Sequence, residues 1–474
     1  MKLISRSAAI IYVLIIFAGC FQGEKIDISR PNIILMMADD LGWGDVGYNG
    51  NEIIITPNLD KLAETGIQFN RFYAAAPVCS PTRGSCLTGR HPYRYGIFSA
   101  NVGNLKSQEL SLAEVLKENR YTTGHFGKWH LGTLTTTEFD ANRGRPGDST
   151  HYSPPWENGF DVCFSTESKV PTWNPMITPE QDAGDIGNRI PGESFGTYYW
   201  TGPGEKVTNN LEGDDSRIIM DRVIPFIESS GENPFFAVIW FHTPHLPTLS
   251  GEKYQNMYSD YSEDIQHFYG AISAMDEQIG RLLEVLASLG KTNNTIIFFT
   301  SDNGPEGKTR QGRTQGSTNG LQGRKRSLYE GGIRVPGLMS WPAGIDTNQE
   351  IDIPVCTSDY FPTILEILGN EFLETIEPMD GINLIPVVKG TITNRSVPIG
   401  FQSGKQMALI DDRFKLYSND EGQTYELYDL LKDPFESHNI IEDHEDIFKR
   451  LKIHLDEWII SCSKSNEGND YSLP

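Results

Sequence analysis

The chain has 474 residues, 38% of them hydrophobic, so it can bury a large core; intrinsic disorder and small disulfide-stapled folds are excluded. Asp and Glu number 63 against 40 Lys and Arg, and the net charge of -23 argues against nucleic acid as a partner, because neutralising phosphates needs a basic surface. The length suggests about two domains, and 46 Gly with 27 Pro speak for many tight loops rather than a helical bundle.

The first twenty residues stand apart. Lys2 and Arg6 make a basic start, and Ala8–Gly19 is an apolar stretch too short to span a membrane as a mature helix. Phe17-Ala18-Gly19 then brings small residues up to Cys20. The pattern resembles the lipobox of a bacterial lipoprotein. It implies a signal peptide over 1–19, lipidation of Cys20, and an exported protein of the periplasm or cell surface with an outer-membrane lipid anchor; plain secretion is the alternative. Losing 1–19 removes the two positive charges of Lys2 and Arg6 and no negative one, which takes the net charge from -23 to -25.

Asn32–Ala38 (NIILMMA) is a continuous apolar run, the pattern of a central strand covered on both faces. Thr56-Pro57 opens a helix that stops at Gly66, and a strand is predicted over Ile67–Tyr73. Leu110–Asn119 has helical spacing and Tyr121–Gly127 reads as the next strand. From Thr133 to Gly213 the chain is aperiodic and rich in Gly, Pro, Trp and Tyr, which marks a functional or inserted loop. Helices are predicted over Ser216–Ser229 and Asp264–Leu289, and strands over Phe235–Phe241 and Thr295–Thr300. This alternation predicts an α/β fold, a large, mixed, mostly parallel sheet sandwiched by helices. Beyond about residue 395, short strand-like pieces at Met407–Ile410, Phe414–Ser418 and Tyr425–Leu430 precede a helix over Glu442–Ile460. They predict a small C-terminal antiparallel-sheet subdomain, 396–474, after a main domain of 28–395. Six cysteines are too few for a disulfide framework, and Cys86, Cys163, Cys356 and Cys462 are expected free and buried.

Asp39-Asp40 directly follows the first buried strand, and Ser301-Asp302-Asn303-Gly304 follows a later one. Ligands of parallel sheets collect beyond the carboxyl ends of the strands. Adjacent strand residues face opposite sides, so Asp39 and Asp40 converge only if the chain leaves the strand there. Three carboxylates and one amide oxygen make a hard, all-oxygen cage, suited to Ca2+ or Mg2+ rather than Zn2+.

Residues 77–90 read PVCSPTRGSCLTGR. Cys79-Ser80-Pro81-Thr82-Arg83, followed by Leu87-Thr88-Gly89-Arg90, resembles the signature of the formylglycine-dependent sulfatases of the alkaline-phosphatase-like superfamily; Cys86 stands where the family has an apolar residue. Further blocks match in order: Arg30-Pro31-Asn32 with Asp39-Asp40-Leu41-Gly42, Gly127-Lys128-Trp129-His130-Leu131-Gly132, Pro244-His245-Leu246-Pro247, Ser301-Asp302-Asn303-Gly304, and Lys325 ahead of Tyr329-Glu330-Gly331-Gly332-Ile333-Arg334-Val335-Pro336. Arg324 replaces a family glycine. Glu426-Leu427-Tyr428-Asp429 with Asp433-Pro434 and Glu436 closes the series.

The resemblance implies that a formylglycine-generating or anaerobic sulfatase-maturating enzyme oxidises Cys79 to Cα-formylglycine, whose hydrate attacks sulfur. Asp39, Asp40, Asp302, Asn303 and the modified Cys79 would hold Ca2+, with Mg2+ as the alternative. Lys128 would anchor sulfate and hydrate, and His130 would bond the hydrate. His245 and Lys325 would contact the sulfate and the leaving oxygen, one of them donating the proton. Arg83, four residues after Cys79, shares its face if a helix begins there and can bind an oxyanion. Lys128 and His130, two apart, project to one side of an extended segment. Outside the matched blocks, His242, His91 and Arg94 are candidates for substrate contact. The implied activity is hydrolysis of sulfate esters on carbohydrates, exo-acting on poly- or oligosaccharides of algal or glycosaminoglycan type. The alternatives are a phosphodiester or phosphonate ester hydrolase of the same superfamily and an inactive glycan-binding surface lipoprotein.

Overall fold

Asn32–Ala38 is the inner strand of a ten-stranded sheet, and every one of its side chains is buried. Alternate residues feed two cores, Ile33, Leu35 and Met37 on one face and Ile34, Met36 and Ala38 on the other. Burial on both sides is why the strand is apolar throughout rather than alternating. The computed structural model describes residues 30–180, 186–307, 315–369 and 378–471. The expected leader and Cys20 lie outside the described residues.

Edge to edge, the sheet runs Gln349–Ile351, Ile67–Phe69, Gly337–Ser340, Thr295–Ser301, Asn32–Ala38, Phe235–Trp240, Thr122–Lys128, Val162–Thr166, Trp200–Gly202 and Glu205–Lys206. The five strands from Thr295–Ser301 to Val162–Thr166 are mutually parallel, and antiparallel strands flank them on each side. Helices Pro57–Thr65, Asp215–Ser229 and Glu263–Ser288 cover one face; Cys79–Thr88, Leu112–Glu118 and Tyr360–Leu368 cover the other. The α/β architecture is as the alternation predicts.

Two expectations change. The strand expected over Ile67–Tyr73 breaks at Asn70-Arg71, where Asn70 Nδ2 donates to Asp352 Oδ1 at 2.9 Å and the chain turns. Phe72–Tyr73 then joins a separate three-stranded sheet with Arg334–Val335 and Val355–Cys356. The 133–213 stretch is not all loop, because Val162–Thr166 completes the parallel array beside Thr122–Lys128.

The C-terminal sheet, Ile399–Ser403, Gln406–Ile410, Phe414–Ser418 and Glu426–Asp429, is antiparallel. One face packs on Tyr73, Leu328 and Ile333, the other on Leu451 and Leu455 of helix Glu445–Asn466. Buried Lys415 sits at this seam, 3.1 Å from Glu330 and 2.8 Å from Glu436, so the YEGG and DPxE blocks join the two parts of the chain. Cys79, Cys86, Cys163, Cys356 and Cys462 are free and buried. Among the described residues no helix is long and apolar enough to cross a membrane.

Candidate active site

Four adjacent parallel strands deliver the chemistry-bearing residues to one rim of the sheet. Asn32–Ala38 leads into Asp39 and Asp40, Thr295–Ser301 into Asp302 and Asn303, Phe235–Trp240 toward His245, and Thr122–Lys128 ends in Lys128 itself. Asp40 adopts a left-handed φ of 66°, so the chain does leave the strand there and the two carboxylates converge. Lys128 and His130 share the cavity for a different reason than extended alternation. The strand ends at Lys128, and His130 takes φ 60° with its N–H on Glu167 O at 3.0 Å. Gly127 precedes them at φ 102°, where a Cβ would lie 1.9 Å from Trp240 O.

The signature helix begins at Cys79 and runs to Thr88 with all ten residues buried. Thr82 Oγ1 donates to Ala76 O at 3.0 Å and Ser85 Oγ meets Thr357 Oγ1 at 2.7 Å, whereas the buried Ser80 Oγ has no partner. Each carboxylate of the cluster has a buried cationic partner. Asp39 Oδ2 is 2.6 Å from Lys128 Nζ, Asp40 Oδ1 is 2.6 Å from Lys325 Nζ, and Asp302 Oδ2 is 2.7 Å from Arg83 Nη2. Burial first, then the charge of Asp39, raises the Asp302 carboxyl. Burial pushes the Cys79 thiol up to about 12 against the pull of Lys128 and Lys325. An unmodified thiol here is neutral and a poor nucleophile.

The residues present fit a hard cation. Asp39 Oδ1 and Asn303 Oδ1 are both buried with no hydrogen-bond donor. Asn303 Nδ2 donates to Asp40 Oδ1 at 2.7 Å and to Gly304 O at 2.8 Å, which leaves its oxygen turned the other way. Orphaned buried oxygens are rare, and two from one acidic cluster match the oxygen preference of Ca2+ or Mg2+. Donor atoms of Asp39, Asp40, Cys79 and His245 lie within 4.8 Å of one another. Asp302 stands outside that group, its Oδ1 accepting from Asp40 N at 3.1 Å and its Oδ2 bound to Arg83.

A cavity of about 620 Å³, lined by Cys79, Lys128, His130, His245 and Lys325, adjoins the cluster through Lys128 and Lys325, the partners of Asp39 and Asp40. Burial, followed by the charges of Lys325 and Lys128, holds His245 well below the usual imidazole range; its Nδ1 lies 2.6 Å from Leu246 O and its Nε2 faces Asp40 Oδ2 at 3.6 Å. His130 is pushed down by burial and by Lys128, and its Nδ1 has no partner.

The sulfatase family profile matches residues 31–370, and an N-sulphoglucosamine sulphohydrolase C-terminal profile matches 322–461. The chain is 32% identical to steryl-sulfatase of Rattus norvegicus over 421 residues, covering 76% of this chain and 71% of that protein. It is 31% identical to N-acetylgalactosamine-6-sulfatase of Mus musculus over 406 residues, covering 80% and 70%. The crystal structure of Ps i-CgsB in complex with k-i-k-neocarrahexaose superposes with a TM-score of 0.77 at 26% identity, covering 93% of this chain and 97% of that one. The chain belongs to the sulfatase family. It is a sulfuric ester hydrolase.

Several sequence-predicted site residues of this sulfatase do other work. Arg83 shares the face of Cys79 but does not reach the cavity: its donors are spent on Asp302 and on Lys128 O at 3.0 Å, over the face of Trp240. It holds a carboxylate rather than an oxyanion. His242 is fully buried between Asp215 Oδ2 at 2.7 Å and Thr166 Oγ1 at 2.8 Å. His91 packs edge-on against Trp458, its Nε2 on Ala75 O at 3.1 Å. Arg94 binds Asp380 at 2.6 Å together with Ser461 and Ser465 of the C-terminal helix. These three are structural ties and line no part of the cavity. Arg324 turns away from Lys325, donating to Glu306 O at 2.8 Å and Gly316 O at 2.6 Å, so the lysine keeps its place.

The cavity wall of the sulfatase adds residues that the motifs do not contain: Tyr93, Phe98 and Asn101 on one side, Asn142 and Lys169 from the irregular stretch, Arg326 beside Lys325, and the hairpin tip Ser403-Gly404 of the C-terminal sheet. Of these, only Arg326 carries a sequence signal, by adjoining a matched lysine.

Proposed function

We propose that this sulfatase removes sulfate from carbohydrate esters, acting on terminal units of sulfated poly- or oligosaccharides, with Cys79 matured to Cα-formylglycine and Ca2+ bound beside it, Mg2+ being the alternative ion. The observation that carries the reading is that Cys79, at a helix start, lies within 4.8 Å of donor atoms of Asp39, Asp40 and His245, beside the orphaned oxygens of Asp39 and Asn303, and opens into a cavity also lined by Lys128, His130, His245 and Lys325.

Asp39, Asp40, Asn303 and the modified Cys79 would hold the cation, joined by Asp302, whose Oδ2 is shared with Arg83. When bound, it polarises the sulfate and lowers the pKa of a coordinated hydroxyl. The hydrated aldehyde would supply two hydroxyls on one carbon, one as nucleophile toward sulfur and the other for release of sulfate, which serine or unmodified cysteine lacks. The remaining work falls to the chain itself. Lys128 and Lys325 hold the sulfate oxygens as charge develops on them. His130 offers its Nδ1 lone pair to a hydrate hydroxyl. His245 or Lys325 passes a proton to the leaving oxygen.

Two features support a sugar substrate. The relatives include enzymes named for an amino-sugar sulfate and a structure holding a carrageenan-type oligosaccharide. At the mouth, Phe98 stands edge-on to Tyr93 at 4.9 Å, an apolar surface suited to a sugar ring, with Lys169 and the Glu306-paired Arg326 also on the wall. The lipobox-like leader supports export to the periplasm or cell surface with a lipid anchor, and the reading requires a formylglycine-generating or anaerobic maturation partner.

The test is sulfate release from a panel of sulfated oligosaccharides by protein co-produced with a formylglycine-generating enzyme, with phosphate and phosphonate esters as controls. Release from sugars alone upholds the reading. Turnover of the control esters alone, by protein whose Cys79 is converted, overturns it.

A further inference from the structure

We infer that Asn101, which no motif contains, is a positioning residue that holds His130 as its Nε2–H tautomer and so leaves the buried, unpartnered Nδ1 as the ring's lone pair. Its consequence for catalysis rests on the proposed role of His130; the tautomer itself does not.

Three observations converge. Asn101 Oδ1 lies 2.8 Å from His130 Nε2. The same oxygen accepts from Asn142 Nδ2 at 2.9 Å, and the other proton of that amide goes to Ser168 Oγ at 2.9 Å. Asn142 is therefore a donor in both contacts, which orients Asn101 with its oxygen toward the ring. A neutral imidazole carries one N–H, and the partner of one nitrogen decides which. An oxygen acceptor at Nε2 places the proton there. Nδ1, buried and without a partner in a residue that lines the cavity, is then a lone pair.

The backbone confirms that the arrangement is held rather than incidental. Asn101 sits at φ 64° and His130 at φ 60°, both in the left-handed region that costs most residues energy and asparagine least. Asn101 lies on the same short loop as Phe98, between bridge partners Ser99 and Val102, so the wall proposed to meet the sugar also sets the ring at the floor. Without the Asn101 oxygen the proton is free to move to Nδ1, putting a donor where an acceptor is needed.

The φ value guides the choice of variants. Asn101→Gly keeps the left-handed backbone and deletes the oxygen; Asn101→Asp keeps both the backbone preference and an acceptor. Cys79 conversion is first matched across proteins by peptide mass. We expect kcat for sulfate release to fall roughly 10- to 100-fold in Asn101→Gly with KM little changed, and to return to within a few-fold in Asn101→Asp. A kcat in Asn101→Gly equal to the parent, or one in Asn101→Asp as low as in Asn101→Gly, overturns the inference. Independently of turnover, 15N NMR of histidine-labelled protein reads the tautomer, the His130 signal being identified by its loss in His130→Gln. Nε2–H in the parent and mixed tautomers in Asn101→Gly uphold it; Nδ1–H in the parent overturns it. If the parent releases no sulfate, the functional reading fails while the NMR arm still decides the role of Asn101.

Discussion

Lys128 Nζ lies 2.6 Å from Asp39 Oδ2 with both side chains buried, so the lysine proposed to hold sulfate is paired with a carboxylate proposed to hold the metal. The same pairing recurs between Lys325 and Asp40. A divalent ion sharing these carboxylates would free the positive charge of both lysines for an anionic substrate, which links ion binding to substrate affinity. The first prediction follows. Saturating Ca2+ raises the unfolding midpoint of chelator-treated protein, by about 2.7 kcal/mol of stability when the ion is 100-fold above its Kd. Asn303→Ala, lacking one orphaned oxygen, blunts that response. A thermal-shift series with Ca2+, Mg2+ and chelator checks it, and identical midpoints in all three would sink the cation reading.

Cys79 gives the second. Burial holds the thiol neutral, so the proposed mechanism requires its conversion. In matured protein the tryptic peptide Phe72–Arg83 exchanges its thiol mass for that of an aldehyde. Cys79→Ala lowers sulfate release by roughly three orders of magnitude or more, and so does parent protein made without a maturation partner. Full activity in a preparation whose peptide remains a thiol would remove Cys79 from the mechanism.

How much of this was readable in the residues depends on the range of the interaction. Asn32–Ala38 announces itself because burial on both faces leaves only apolar side chains, and Asp39-Asp40 is placed by following it. The helix start at Cys79 is local as well. Val162–Thr166 is not: five residues in a Gly- and Pro-rich stretch become a strand because Thr122–Lys128 offers them an edge. The partner of Arg83 is Asp302, 219 residues away, so spacing could align Arg83 with Cys79 but not show that its guanidinium is already spent. His242 and His91 fail for the same reason, since a lone histidine looks alike whether it meets substrate or a buried carboxylate. Asn101 carries no signal, because its role is set by a hydrogen bond to a loop brought near by the fold.

The reassignment of His91 and Arg94 predicts a pH effect on stability rather than on substrate affinity. Burial is the main cause that lowers His91 to about 4, and Tyr93 N–H points at its Nδ1 from 3.3 Å, where a second ring proton cannot fit. A group with a lowered folded pKa stabilises fully above its unfolded value, about 6.5, and loses that contribution as pH falls toward 4, here up to about 3 kcal/mol. Asp380 acts in a lower window: burial alone would raise it, but Arg94 overrides that and holds it at about 2, so its share is lost only below about pH 4. Denaturant unfolding from pH 7 to 4 should show the parent losing more stability, or gaining less, than His91→Leu, the difference being the share of His91. Arg94→Met should cost about 3–5 kcal/mol by leaving Asp380 unpaired, with KM unchanged in the folded protein. A raised KM in a fully folded Arg94→Met protein would restore Arg94 to the substrate site.

The last prediction separates His245 from Lys325. Both reach the cavity floor, and both approach Asp40, Lys325 at 2.6 Å and His245 Nε2 at 3.6 Å. A proton donor matters in proportion to the basicity of the leaving oxygen. A nitrophenolate leaves without help, whereas a sugar alkoxide does not. Replacing the acid should therefore slow sugar-sulfate hydrolysis by roughly 10²- to 10⁴-fold while leaving nitrophenyl sulfate hydrolysis far less affected. Replacing a group that only binds sulfate should slow both substrates alike, since the sulfate is common to them. Kinetics of His245→Ala and Lys325→Ala on the two substrates assign the roles. Because burial and the neighbouring lysines keep His245 neutral, with its Nδ1 on Leu246 O, Lys325 is the better-placed donor, and its alanine variant is the one expected to show the unequal loss. Equal losses on both substrates in both variants would mean that neither residue protonates the leaving group.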